Sequence, residues 1–136
     1  MKIYVLDASA AVRYVTGGVG EEKVGALIRR TAQGEARMLI SVVNWGEALY
    51  SLARVVGLAK ATADLKAVSA FVESVMVDEA LAEFAAGVRL HYRLGYADCF
   101  AAALAMRMKA TLVTSDPDFS KLGKALKVIT LSRQLQ

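Results

Sequence analysis

Four acidic residues far apart in the chain, Asp7, Glu47, Asp98 and Asp116, each stand near a change in local pattern. Asp7 ends the apolar run Ile3-Tyr4-Val5-Leu6, and Asp116 follows Leu112-Val113-Thr114-Ser115. Glu47 comes soon after Met38-Leu39-Ile40, and Asp98 precedes the apolar stretch that begins at Phe100. Gathered together, they supply an all-oxygen donor set, which suits a hard divalent cation such as Mg2+ or Mn2+. Such an ion lowers the pKa of a bound water and holds a phosphate for in-line attack. Gathering also has a cost, because two carboxylates ~5 Å apart repel by roughly 3 kcal/mol at an effective dielectric of ~20. Raised pKa values, basic partners or a cation must offset that repulsion.

Taken singly, three of the four have ordinary explanations. Asp98 suits a helix N-cap, Asp116 before Pro117 suits a turn, and Glu47 suits the positive end of a helix. Asp7 is harder to dismiss, since a carboxylate ending a buried strand is costly without partners. Ser9 and Thr114 are hydroxyls placed to orient carboxylates, and Asp118 is an optional fifth acid. Cys99 reads as core rather than nucleophile. Gly17, Gly18 and Gly20 read as a loop without the Gly-Lys-Ser/Thr of a phosphate-binding P-loop. Arg13, Tyr14, Trp45 and Lys121 are candidates for contact with RNA by stacking or phosphate pairing.

These residues need elements to hold them. Residues 2–6 are β-branched and aromatic and predict a buried strand, with a helix over 8–15 after it. Val24, Leu27, Ile28 and Thr31 predict an amphipathic helix over 21–32, closed by Gly34. Residues 38–40 read as a second strand, and Ser41 as the N-cap of a helix carrying Trp45, Leu49, Leu52 and Val56 to about Gly57. Thr62 is expected to cap a further helix through Leu65, Val68 and Phe71. Residues 75–77 read as a minor strand or a connection, and residues 79–94 as a helix stopped by Gly95. Residues 97–108 are apolar on every side, which predicts a central, buried helix. Strands are expected at 111–114 and 128–131.

Short apolar strands alternating with helices indicate an α/β fold, a parallel sheet covered on both faces. Ligands of such sheets bind beyond the carboxyl ends of the strands, where Asp7 and Asp116 fall. Right-handed crossovers return the starts of the helices bearing Glu47 and Asp98 to the same edge.

The bulk composition narrows the function classes. The chain has 136 residues, 56% hydrophobic and 22% charged, which suits one ordered domain over 1–136 and excludes a disordered chain. A net charge of +4 is compatible with a phosphate-rich partner, but the basic residues are scattered and form no polybasic arm. With one cysteine and one histidine, an intramolecular disulfide, a cysteine-based zinc site and a two-histidine metal site are excluded. Asp7 interrupts the first apolar stretch too early for a signal peptide, and no apolar run approaches the ~20 residues of a membrane span. A cytoplasmic location is expected.

The segments Tyr4-Val5-Leu6-Asp7-Ala8-Ser9 and Ser41-Val42-Val43-Asn44-Trp45-Gly46-Glu47-Ala48-Leu49 resemble the first half of a PIN domain. Tyr96-Ala97-Asp98-Cys99 and Leu112-Val113-Thr114-Ser115-Asp116-Pro117-Asp118-Phe119 resemble its second half. The resemblance spans essentially the whole chain, and in length the chain is similar to VapC-type toxins of toxin–antitoxin pairs. It implies a PIN-like three-layer α/β/α fold with a short central parallel sheet of about four to five strands. It implies a Mg2+- or Mn2+-dependent endoribonuclease, a homodimer inhibited by a small antitoxin, leaving 5′-phosphate and 3′-hydroxyl ends. By position, Asp7, Glu47, Asp98 and Asp116 match the catalytic and metal-holding acids, Ser9 and Thr114 the supporting hydroxyls, and Asp118 a variable extra acid. Asn44 and Trp45 depart from the small or apolar residues expected there and are assigned to tuning substrate access.

Two other functions compete with RNA hydrolysis. A non-catalytic module binding RNA or protein would be free to lose the acids, and all four are present. Phosphoryl transfer through Asp7, as in haloacid dehalogenase-like phosphatases, needs a second Asp two residues on, where this chain has Ser9.

Overall fold

The structure, a computed structural model, describes residues 1–17 and 21–131. Apart from Gly17, the expected glycine loop lies outside the described residues. Among them, five strands form one all-parallel sheet in the order β3-β2-β1-β4-β5. The chain runs β1 (Lys2–Leu6), α1 (Ala8–Thr16), α2 (Glu21–Ala32), β2 (Ala36–Ser41), α3 (Val42–Val56), α4 (Leu58–Val68) and β3 (Val72–Val75). It continues through α5 (Glu79–Tyr92), α6 (Tyr96–Arg107), β4 (Thr111–Thr114), a 3-10 segment (Pro117–Ala125) and β5 (Val128–Thr130).

Alternation along the strands divides the core in two. Tyr4, Leu6, Met38 and Ile40 face a cluster built with α1 to α4, which includes Val24, Ile28, Leu52 and Leu65. Val5, Leu39 and Leu112 face the other way, onto α5, α6 and the 3-10 segment. The fold is therefore a three-layer α/β/α sandwich. Buried on both faces, the inner strands carry apolar runs at their centres, Tyr4-Val5-Leu6 in β1, Met38-Leu39-Ile40 in β2 and Leu112-Val113 in β4. From Cys99 to Ala105 every residue of α6 is buried, which is why that helix lacks a polar stripe. No helix among the described residues is long and apolar enough to cross a membrane.

Two expected elements are placed differently. Thr62 caps nothing; it lies inside α4, which starts a turn earlier, directly after Gly57. Gly57 at φ 87 redirects the chain alone, so no side-chain cap is needed. Phe71 lies beyond that helix, which stops at Val68. The minor strand near 75–77 is Val72–Val75, paired with β2 from Met38↔Val72 to Ser41↔Val75. As an edge strand it needs little hydrophobicity, and Arg37 grips Glu73 across it with two hydrogen bonds of 3.0 and 2.9 Å.

The strand order reverses beside β1. Strands β2 and β3 are laid down on one side of it, and β4 then returns to the other. The crevice at the carboxyl ends of β1 and β4 is thus a topological switch point, where α/β sheets bind ligands.

Candidate active site

Asp7 leaves β1 in extended conformation and caps α1. Its Oδ1 accepts hydrogen bonds from the Ser9 hydroxyl at 2.7 Å and the Ala10 backbone N–H at 2.9 Å. Its Oδ2 accepts one from the Thr114 hydroxyl. The residue is only 2% exposed, and burial pushes its carboxyl up to about 6, although the three hydrogen bonds pull the other way.

Thr114 arrives there because β1 and β4 pair with Leu6 opposite Val113, so Asp7, just past the end of β1, meets Thr114, the last residue of β4. The Thr114 hydroxyl also accepts the Asp116 N–H at 2.9 Å, and the Ser9 hydroxyl accepts the Ser115 N–H at 2.9 Å. Two hydroxyls thereby tie Asp7 to the loop that carries Asp116. Asp116 in turn caps the 3-10 segment, its Oδ1 accepting the Asp118 N–H at 2.9 Å. The turn role expected of Asp116 and its place in the acid group therefore coexist.

The remaining acids come from α3 and α6. Ser41 caps α3, accepting the Asn44 N–H at 3.1 Å, and Glu47 follows in the second turn. Asp98 lies in the first turn of α6, but the N-cap is Gly95 and makes no side-chain cap bond. The N-cap explanation for Asp98 is therefore withdrawn. Its half-buried carboxyl is pushed up to about 7, first by burial and then by the charges of Glu47, Asp116, Asp7 and Asp118.

Asp7, Ser9, Glu47, Asp98 and Asp116 line one open cleft of about 160 Å3, with Ala8 and Val12 beside them. Thr114 lies fully buried beneath it, bonded to Asp7. Asp118 is exposed on the 3-10 segment and does not line the cleft. Its charge reaches Asp98 only through space. Arg13, Tyr14, Trp45 and Lys121 stand outside the cleft lining as well. Tyr14 and Trp45 pack against the core beneath α1 and α3. Cys99 is buried and burial pushes its thiol up, which agrees with a core role.

Asn44 does not tune substrate access. It is fully buried, and its side-chain amide donates to the Ala97 carbonyl oxygen at 2.9 Å while its Oδ1 accepts the Ser41 hydroxyl at 2.6 Å. The buried Asn44 amide is thereby satisfied while it joins α3 to the first turn of α6. Ser51 is the cleft residue that sequence inspection missed. The signal was available: it sits four residues after Glu47, on the same face of α3.

The donor set suits a divalent cation. Oδ1 of Asp7 already accepts two hydrogen bonds, whereas Oδ2 accepts one and keeps a lone pair. Asp98 is raised first by burial and then by neighbouring negative charge, and a cation relieves that charge. Among the described residues, no three acids close into a ready cage for one ion. Mg2+ requires no such cage, since it retains several waters and takes one or two carboxylates.

A family model described as the PIN domain matches residues 4–125. No protein of curated function matches the sequence. Among solved structures, VapBC2 from Rickettsia felis, bound to a DNA fragment of its promoter, is similar at a TM-score of 0.76 and 17% identity, with 96% of this chain and 99% of that chain covered. VapBC from Salmonella typhimurium, bound to DNA, is similar at 0.76 and 17%, with 96% and 98% covered. VapC20 from Mycobacterium tuberculosis, described as a toxin cleaving the sarcin-ricin loop, is similar at 0.70 and 21%, with 88% and 95% covered. At such identities these likenesses establish a shared fold.

Proposed function

Because the chain belongs to the PIN domain family, we propose that it is a metal-dependent endoribonuclease, the toxin of a toxin–antitoxin pair. The observation that carries this reading is the convergence of Asp7, Glu47, Asp98 and Asp116 on one cleft at the switch point of the sheet. A purely structural role does not account for four acids lining one open cleft, two of them, Asp7 and Asp98, raised by burial and by neighbouring negative charge.

Asp7, Glu47, Asp98 and Asp116 would hold Mg2+ or Mn2+. Such an ion, when bound, activates water and steadies the charge of an RNA phosphate under attack. The chain's own groups set the geometry. Ser9, Ala10 and Thr114 lock the Asp7 carboxylate in one orientation, leaving one lone pair of Oδ2 for the cleft. Asp98, raised to about 7 in the metal-free protein first by burial and then by the charges of the neighbouring acids, would be returned to its ionised form by a bound cation. Glu47 stands on a rigid helix, so its reach is set by one side chain rather than a loop.

A cognate antitoxin protein and a homodimeric state belong to the same reading. The similarity to VapBC complexes supports the first. Val55, Leu58, Met76 and Leu90 are largely exposed, each an apolar side chain that a protein partner could cover.

Purified protein incubated with structured RNA in Mg2+, Mn2+ or EDTA tests the proposal, beside Asp98→Asn. Metal-dependent cleavage leaving 5′-phosphate ends, lost in the variant, is expected. Cleavage that persists in EDTA, or at full rate in a folded Asp98→Asn protein, overturns it.

A further inference from the structure

The opposite edge of the sheet carries a second cleft that the acid site does not use. Parallel strands gather all their N-terminal ends at that edge, and there Lys2, Lys109, Thr111 and Lys127 line a cleft of about 390 Å3 with Met1, Ile3 and Met108. Three lysines enter this lining and no carboxylate does. All three are exposed, and none belongs to the ion pairs found among the described residues. Cations gathered without counter-ions create a positive potential that an anion relieves.

Their backbones are held in place. Lys109 ends α6 in the left-handed region at φ 52, with its N–H donating to Met106 at 3.2 Å and the Ala110 N–H donating to Ala105 at 2.8 Å. These two bonds form a Schellman-type closure, which usually takes glycine. The Lys127 carbonyl accepts the Leu112 N–H at 3.0 Å, and Lys2 is in register with Ala36.

A basic path joins the two edges. Strand β4 ends at the acid cleft and β5 begins at the lysine cleft, so residues 116–127 must cross the full length of the sheet. Lys121, Lys124 and Lys127 are exposed along that crossing, outside every ion pair found among the described residues. A five-residue strand spans roughly 17 Å at ~3.3 Å per residue. That is about five stacked nucleotides at ~3.4 Å each.

We propose that the cleft of Lys2, Lys109 and Lys127, approached along Lys121 and Lys124, is a backbone-phosphate site for the single-stranded RNA whose scissile bond lies in the acid cleft. The site would take phosphodiester charge rather than bases, because its polar groups are ammonium donors. The proposal rests on the ribonuclease reading for the identity of its ligand, and its test separates the two.

The test compares wild type with a Lys2→Gln, Lys109→Gln, Lys127→Gln triple variant and with an equal-charge control, Lys23→Gln, Arg29→Gln, Lys66→Gln. Binding is measured in EDTA against salt, using RNAs of about four and roughly twelve nucleotides. Amide NMR shifts of Lys2, Lys109 and Lys127 are followed in the wild-type protein during the longer titration. The longer RNA is expected to bind the lysine variant about tenfold more weakly, with a log–log salt slope shallower by about 2, from three contacts at ~0.7 each. The short RNA and the control variant should show neither change. Metal-dependent cleavage with unshifted amides and equal slopes in both variants overturns the lysine site alone. Shifted amides without any cleavage keep the site and remove the nuclease reading. Neither shift nor cleavage overturns both.

Discussion

The Asn44 side chain donates to the carbonyl oxygen of Ala97 at 2.9 Å, fixing the first turn of α6 one residue before Asp98. Asn44 is thereby a positioning residue on α3 for an acid on α6. Asn44→Ala removes the side-chain bond to the Ala97 carbonyl and the acceptor of the Ser41 O–H, at a cost of about 2 kcal/mol. Denaturant unfolding should show that loss, and RNA cleavage should fall while metal affinity weakens. Unchanged metal affinity in the folded variant would argue that Asn44 is structural only.

Thr114 holds Asp7 and the Asp116 backbone with a single hydroxyl. Thr114→Val keeps the shape and removes both bonds, which should cost about 3 kcal/mol and raise the Asp7 carboxyl further. Thr114→Ser should recover most of the stability. Equal unfolding midpoints for the two variants in EDTA would refute the hydroxyl's role.

The acid cleft gives the metal-free protein an unusual pH response. Burial raises Asp7 from 3.8 to about 6, so the folded state binds more protons there than the unfolded state within that window. The Asp7 contribution to stability therefore falls as pH rises from 3.8 to about 6 and is flat above. Asp98, raised to about 7, extends the decline in the same direction. Glu73, held low by Arg37, and Asp78, held low by the Leu81 N–H, act with the opposite sign at lower pH, and being exposed they count for little. In EDTA, Asp7→Asn should be more stable than wild type at about pH 8, by on the order of 3 kcal/mol, and the gap should close toward about pH 4. Mg2+ should raise the wild-type melting temperature at the higher pH and leave the variant's unchanged. A gap independent of pH would contradict the assigned burial.

Gly95 lies against the carboxylate of Asp98. A Cβ added there would meet Oδ2 at 3.2 Å, while the glycine's own φ of −53 is open to any residue. Gly95→Ala should leave the melting temperature within a degree or two yet displace Asp98, lowering cleavage by roughly tenfold. A fully active variant would show that the Asp98 carboxylate adjusts freely.

Much of this was legible in one dimension. The apolar runs of β1 and β4, the Ser41 cap and the all-round apolar α6 follow from local pattern and place Asp7, Asp98 and Asp116 at element ends. Local chemistry suffices there because burial on both faces leaves little choice of residue. It failed at Thr62, where Gly57 turned the chain before any cap was needed, and at β3, whose pairing with β2 outweighs its weak composition.

The sequence by itself determined which acids exist and that strand ends and helix starts carry them. Only the tertiary structure decided that they share one cleft, that Asn44 faces Ala97 rather than solvent, and that Ser51 joins them. Those relations depend on the register of β1 against β4 and on the approach of α3 to α6. Both are contacts between residues remote in the chain, and their free energy resides in packing that no local window contains.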